Sequence, residues 1–186
     1  MAASEAEIVN SALAKVGGGR VIALTDDTPH ARLMNEQYPK VRDDLLRGHP
    51  WNFAIVRTLL AATTTSPAYK YTYQYRVPAD CVRVLDIDSQ DFEWEREGQY
   101  IVTDSNSLGI RYVRRVTEVG LFDSNFCEVL ATKLAADVCY ALTQSTSLKE
   151  LLMKEYTQKL REARSFDGQE GGPTRVYAKE WLNSRY

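Results

Sequence analysis

The chain is poor in the residues that build most small-molecule chemistry. Among its 186 residues there are 2 histidines and 3 cysteines. His30 and His49 stand too far apart in sequence for the close ligand spacing of ordinary metal sites, and both flank prolines, which predicts capping or surface roles. Cys81, Cys127 and Cys139 are an odd, scattered set, which argues against a disulfide framework and predicts buried, reduced thiols. No excess of charge exists either: 23 basic against 25 acidic residues leave a formal charge of -2, which excludes the basic footprint of a protein that wraps DNA phosphates. No apolar run approaches the ~18 residues of a membrane span. The first residues lack the basic and apolar regions of a secretory signal. There is no phosphate loop, because the one glycine cluster, Gly17-Gly18-Gly19, follows a predicted helix instead of opening one.

What is present is an ordinary globular composition, 44% hydrophobic and 26% charged, with enough chain for a sizeable core. Ser4 and Glu7 form a capping-box pattern ahead of Ile8, Val9, Ala12, Leu13 and Val16 at helical spacing. Thr28 and Pro29 open a second helix striped by Ala31, Met34, Tyr38, Val41 and Leu45. Pro39 predicts a kink or an end inside it. Residues 51–116 read as β-rich. The segment YKYTYQYRVP, residues 69–78, alternates Tyr69, Tyr71, Tyr73 and Tyr75 with polar residues and predicts one long strand with a phenolic face. Strands are also expected over 51–62, 81–88, 92–96, 99–103 and 110–116. Two further helices follow, one lined by Phe126, Val129, Leu130, Leu134, Val138 and Leu142. The other begins near Ser147, with Leu148, Leu151, Leu152, Tyr156, Leu160 and Ala163 turned inward. Residues 167–173 read as a hinge.

The predicted fold class is α+β: an antiparallel helical bundle (1–50 and 117–167), an inserted antiparallel β-sheet (51–116), and a hinge with an extended C-terminal arm (168–186). Three features carry candidate function. Asp86 with Asp88, and Glu93 with Glu95 and Glu97, share strand faces at roughly 6–7 Å, a separation glycosidases use; a solvated strand face is the simpler reading. Lys70, Arg76, Arg111, Arg114 and Arg115 are the candidates for a channel or subunit interface, with Arg57 and Arg83 close by. The arginines are expected to pair with acids within or between subunits. The arm carries Arg175, Tyr177, Trp181, Leu182 and Tyr186 beyond a glycine-rich hinge, residue types that dominate binding hot spots, and is read as partner-binding. No catalytic residue, metal ligand or cofactor site is assigned.

In order along the chain, EIVNSALAKVGG, ARLMNEQYPKVRDDLLRGHPWNFA, the Y-x-Y-x-x-P-A-D-C-V-R-V strand pair, GQYIVTDSNSLGIRYVRRV, GLFDSNFCEVLATKLAADVCYALTQS and LREARSFDGQEG resemble the head-to-tail adaptor proteins of short-tailed bacteriophages, of the tail tubular protein A type. The resemblance covers roughly residues 5–170. It implies a non-enzymatic virion protein of the neck, assembled in the host cytoplasm. Such a protein forms a ring, usually of twelve copies, beneath the portal protein. The ring extends the channel for double-stranded DNA, carries the tail nozzle or tail spikes, and docks its C-terminal arm, here residues 175–186, into the portal. The rival expectation is a tail-associated cell-wall glycan hydrolase using an Asp/Glu pair.

Overall fold

A computed structural model describes residues 4–88 and 92–170. Its helices are α1 (Glu5–Lys15), α2 (Pro29–Gly48), α3 (Ser124–Thr143) and α4 (Thr146–Glu170), and its strands are β1 (Ile55–Leu60), β2 (Tyr73–Arg76), β3 (Cys81–Ile87), β4 (Trp94–Glu97), β5 (Tyr100–Thr103) and β6 (Leu108–Arg114). The order is helices, strands, helices, and the class is α+β. Among the described residues no helix is long and apolar enough to cross a membrane.

The start signals act as the sequence predicts. Ser4 Oγ accepts from Glu7 N–H at 3.1 Å while Glu7 Oε2 accepts from Ser4 N–H at 2.9 Å, so two orphan donors of α1 are satisfied reciprocally. Gly17 at φ 69° turns the chain out of α1, and Gly18 N–H closes on Leu13 O at 2.9 Å. Asn10 then pins the outgoing chain, since its side chain both donates to and accepts from the Val21 backbone at 2.8 Å. Thr28 Oγ1 caps α2 at Ala31 N–H, with Pro29 at the first turn. Pro39 does not end the helix, which runs on to Gly48. Pro39 lies on the exposed face, where a missing N–H leaves its acceptor open to water.

All four helices share one core. Its centre is aromatic: Trp51 is 1% exposed, edge-on to Phe126 at 5.1 Å and stacked on Phe53 at 6.3 Å, and its Nε1–H donates to Leu45 O at 3.0 Å. Trp51 lies just ahead of a short 3-10 turn (Asn52–Ala54), so β1 begins later than the predicted 51–62 strand.

The single inserted sheet expected from sequence is two three-stranded antiparallel sheets, ordered β1-β6-β3 and β2-β5-β4. They enclose a second core of Tyr75, Val77, Ile87, Ile101, Leu108, Ile110 and Tyr112. The bridge Ala62↔Tyr75 links them at one corner. Val113, on the opposite face of β6 from Tyr112, belongs to the helical core; the β1-β6-β3 sheet thus has the helices against one end of its outer face and the other sheet against its inner face.

The long tyrosine strand is also corrected. Lys70 adopts φ 71°, a left-handed conformation that ends any strand, and only Tyr73–Arg76 is ladder-paired. The four phenols therefore part company: Tyr69 is 83% exposed, whereas Tyr71 and Tyr75 are buried. At the other end, Asp167 to Glu170, expected as the start of a hinge, form the last turn of α4. Leu151, expected inward, is 61% exposed.

Candidate interaction surfaces

The five basic residues singled out by sequence do not form one patch. Lys70 Nζ pairs with Glu95 Oε1 and lies 4.8 Å from the Tyr71 ring centroid. Its ammonium is held well above the usual lysine range, chiefly by the hydrogen bond to Glu95, and the same bond lowers Glu95. Arg111 Nη2 and Nε hold Asp86 Oδ2 at 2.8 and 2.9 Å. Arg115 turns to α2, with Nε donating to Asp43 Oδ2 at 2.8 Å. Arg42, 7% exposed, also holds Asp43. Arg114 and Arg76 make no ion pair among the described residues; Arg76 is exposed at the end of β2. The expected pairing of arginines with acids holds for Arg111 and Asp86, and for Arg115 the acid is Asp43. The candidate arm residues Arg175, Tyr177, Trp181, Leu182 and Tyr186 lie outside the described residues.

One open face does emerge. Register places Arg57 opposite Arg111, Leu59 opposite Gly109, and Asp86 on the far side of Arg111. Like charges facing across a ladder repel, and Asp86 relieves that repulsion. Gly109 lets the row dip: a Cβ there would lie 2.7 Å from Asp88 Oδ2 and 3.2 Å from Leu59 Cδ2. The result is a recess of about 330 Å3, walled on one side by Leu59, 76% exposed, and with Asp88 on the other.

Two of the carboxylates weighed for catalysis hold ion-pair partners. Asp86 is occupied by Arg111, and Glu95 is shifted below its ordinary value, the wrong direction for a proton donor. Burial pushes the Cys127 thiol up to about 11 and the Cys81 thiol upward, against the thiolate a nucleophile needs. Among the described residues no group of three His, Cys, Asp or Glu side chains could hold a metal.

Two clusters were not foreseen in the sequence. Lys15 Nζ bridges Glu155 and Glu128 at 2.9 and 3.0 Å, and Lys159 contacts the same two carboxylates. Only the Glu155–Lys159 pair has a sequence signal, at i,i+4. His49, expected as a cap or surface residue, closes α2 but also reaches Asp167 Oδ2 with its Nε2 at 2.9 Å and stands edge-on to Trp51 at 4.7 Å. Asp167 Oδ1 accepts from Asn52 N–H at 2.9 Å.

Against known proteins, the chain matches no family model and no curated sequence.

Proposed function

We propose that this chain is a structural adaptor of a phage virion. It assembles as a ring beneath the portal protein, extends the DNA channel and carries the tail nozzle or tail spikes, with no bond made or broken by its side chains. What supports the reading is the resemblance of an ordered set of sequence segments to those of such adaptors. Each falls on a discrete element here: α1, α2, the β2–β3 pair, the β5–β6 pair, α3 and α4. Large apolar side chains exposed on both bodies, Leu59 and Tyr69 in the β region and Leu121, Tyr140 and Leu151 among the helices, suit a molecule with neighbours on several sides. Three of the five candidate channel cations, Lys70, Arg111 and Arg115, are matched by an acid, which suits a channel that lets DNA slide, because each unmatched cation, as at Arg76 and Arg114, adds phosphate affinity.

The glycan-hydrolase reading has less support. Its acid must be protonated near neutral pH, yet Glu95 is shifted down and Asp86 is ion-paired. The deciding experiment mixes the purified chain with portal particles and follows sedimentation and negative-stain images. A ring added at the portal vertex is the expected result; a chain that ignores portal yet clears peptidoglycan in a zymogram overturns it.

A further inference from the structure

A groove of about 560 Å3 runs between α1 and α3. Its floor is apolar, with Ile8 3% and Ala131 1% exposed, and Phe122 and Cys127 form its wall. Leu121, in the turn that leads to α3, is 43% exposed beside it. Glu7 and Glu128 stand on the rim. Such a slot accepts a flat apolar side chain; Glu128 is already matched by Lys15 and Lys159 and Glu7 by the Ser4 N–H, so the free negative charge lies in the cleft next to it.

The end of α4 lies at the mouth of this groove. Phe166, Asp167 and Glu170 share a narrow cleft with Asp123 and Ser124, and Ser124 also lines the groove. Three carboxylates crowd there, of which Asp167 is already held by His49 and Asn52. The Asp123 carboxyl is pushed up by burial and then by the negative charges of Glu170 and Asp167. Asp123 caps α3 without a side-chain hydrogen bond, so its carboxylate faces the positive end of the helix dipole but holds no hydrogen-bonded partner there. A cation arriving at this point would be held.

The chain beyond Glu170 supplies that chemistry. Residues 173–186 carry Arg175, Lys179 and Arg185 against one acid, Glu180, with Tyr177, Trp181 and Leu182 among them. Arg175 stands five positions beyond Glu170, a reach of at most about 18 Å, and Ser124 adjoins both cleft and groove, so Arg175 can meet Asp123 while the aromatic residues enter the groove. We propose that residues 173–186 dock back into the α1–α3 groove of their own chain when no partner holds them, with an aromatic side chain against Ile8, Phe122 and Cys127 and Arg175 beside Asp123. This gives the adaptor a held-back state, although the inference stands on the groove and does not rest on the adaptor reading.

Cys127 is the reporter, because it lines the groove and is only partly buried. Peptide-resolved alkylation compares the full chain with a chain ending at Gly172, and Cys81 in the β region serves as the internal control. The expected result is several-fold faster labelling of Cys127 after truncation, unchanged labelling of Cys81, and renewed protection on adding a peptide of residues 173–186. Full-length Y177A/W181A reports the same gain should the truncated chain fail to fold. Equal Cys127 rates in all forms overturn the proposal. Protection in the full chain that fades on dilution also overturns it, assigning the groove to the segment of a second copy. Portal is absent from the assay, so its outcome is separable from that of the sedimentation test.

Discussion

Asp167 concentrates more structure than any other polar residue of α4. Only 7% exposed, it engages His49 through one oxygen and the Asn52 N–H through the other, and its own carbonyl accepts from Asn52 Nδ2. Replacing it with Ala strands a part-buried donor and an imidazole, so Asp167→Ala should cost about 1–2 kcal/mol, and Asp167→Asn less, because one carbonyl oxygen remains. Urea midpoints for the two variants check the order. The tyrosines offer a second comparison. Tyr75 is fully buried and its hydroxyl donates to Ser105 O at 2.7 Å, so Tyr75→Phe should lose about 1 kcal/mol. Tyr69→Ser, at an exposed site, should stay within about 0.5 kcal/mol. Equal losses would mean that the strand runs through Lys70 after all.

At the scale of elements, the charged clasp of Lys15, Glu128, Glu155 and Lys159 ties α1, α3 and α4 together. Burial alone would lower Lys15 and raise Glu128. The hydrogen bonds outweigh it, so Lys15 rises and Glu128 falls, while Glu155 is lowered first by Lys15 itself. The sign follows from linkage. The carboxylates contribute stability that is present above their unfolded value near pH ~4.3 and lost as pH falls through their folded values. The Lys15 contribution is present below about pH 10.4 and lost as pH rises through its folded value. These side chains are 20–43% exposed, so screening holds the gain to about 1 kcal/mol. Lys15→Met should therefore unfold at lower urea than the parent at pH 7, and the gap should close by about pH 3.

For the whole molecule, the consequential fact is that α4 is anchored before the chain leaves it. Asp167, Arg164 on Gly48 O and Ala163 in the core tie its last turns to the rest of the helical body. Deleting residues 173–186 should leave the thermal midpoint within a few degrees of the parent while abolishing co-sedimentation with portal; a truncated chain that still joins portal particles refutes the arm as the docking element. In the proposed ring, the recess over Gly109 is the surface we assign to the contact between neighbours. Leu59→Asp should weaken ring formation on portal, read by light scattering, yet barely move the urea midpoint, because Leu59 is mostly solvent-exposed.

The sequence alone determined the element order, both helix caps and most core positions, because these depend on interactions within a few residues: Ser4 with Glu7, Thr28 with Ala31, the apolar period of α3. It misjudged places where distant chain decides. One strand of four tyrosines was expected because alternation is all that residues 69–76 display, and the left-handed turn at Lys70 shows only in the folded chain. A hinge was expected at Gly168 because glycine is a poor helix former, but contacts to His49 and Asn52, more than a hundred residues away in sequence, keep that turn helical. The arginine cluster looked contiguous in sequence and is dispersed by the pleat, which sends Arg111 to one face and Arg114 to the other, while Arg115 reaches α2. Local propensity is written in neighbouring residues; which distant groups meet, and so which charges are left free for a partner, is decided only when the two cores close.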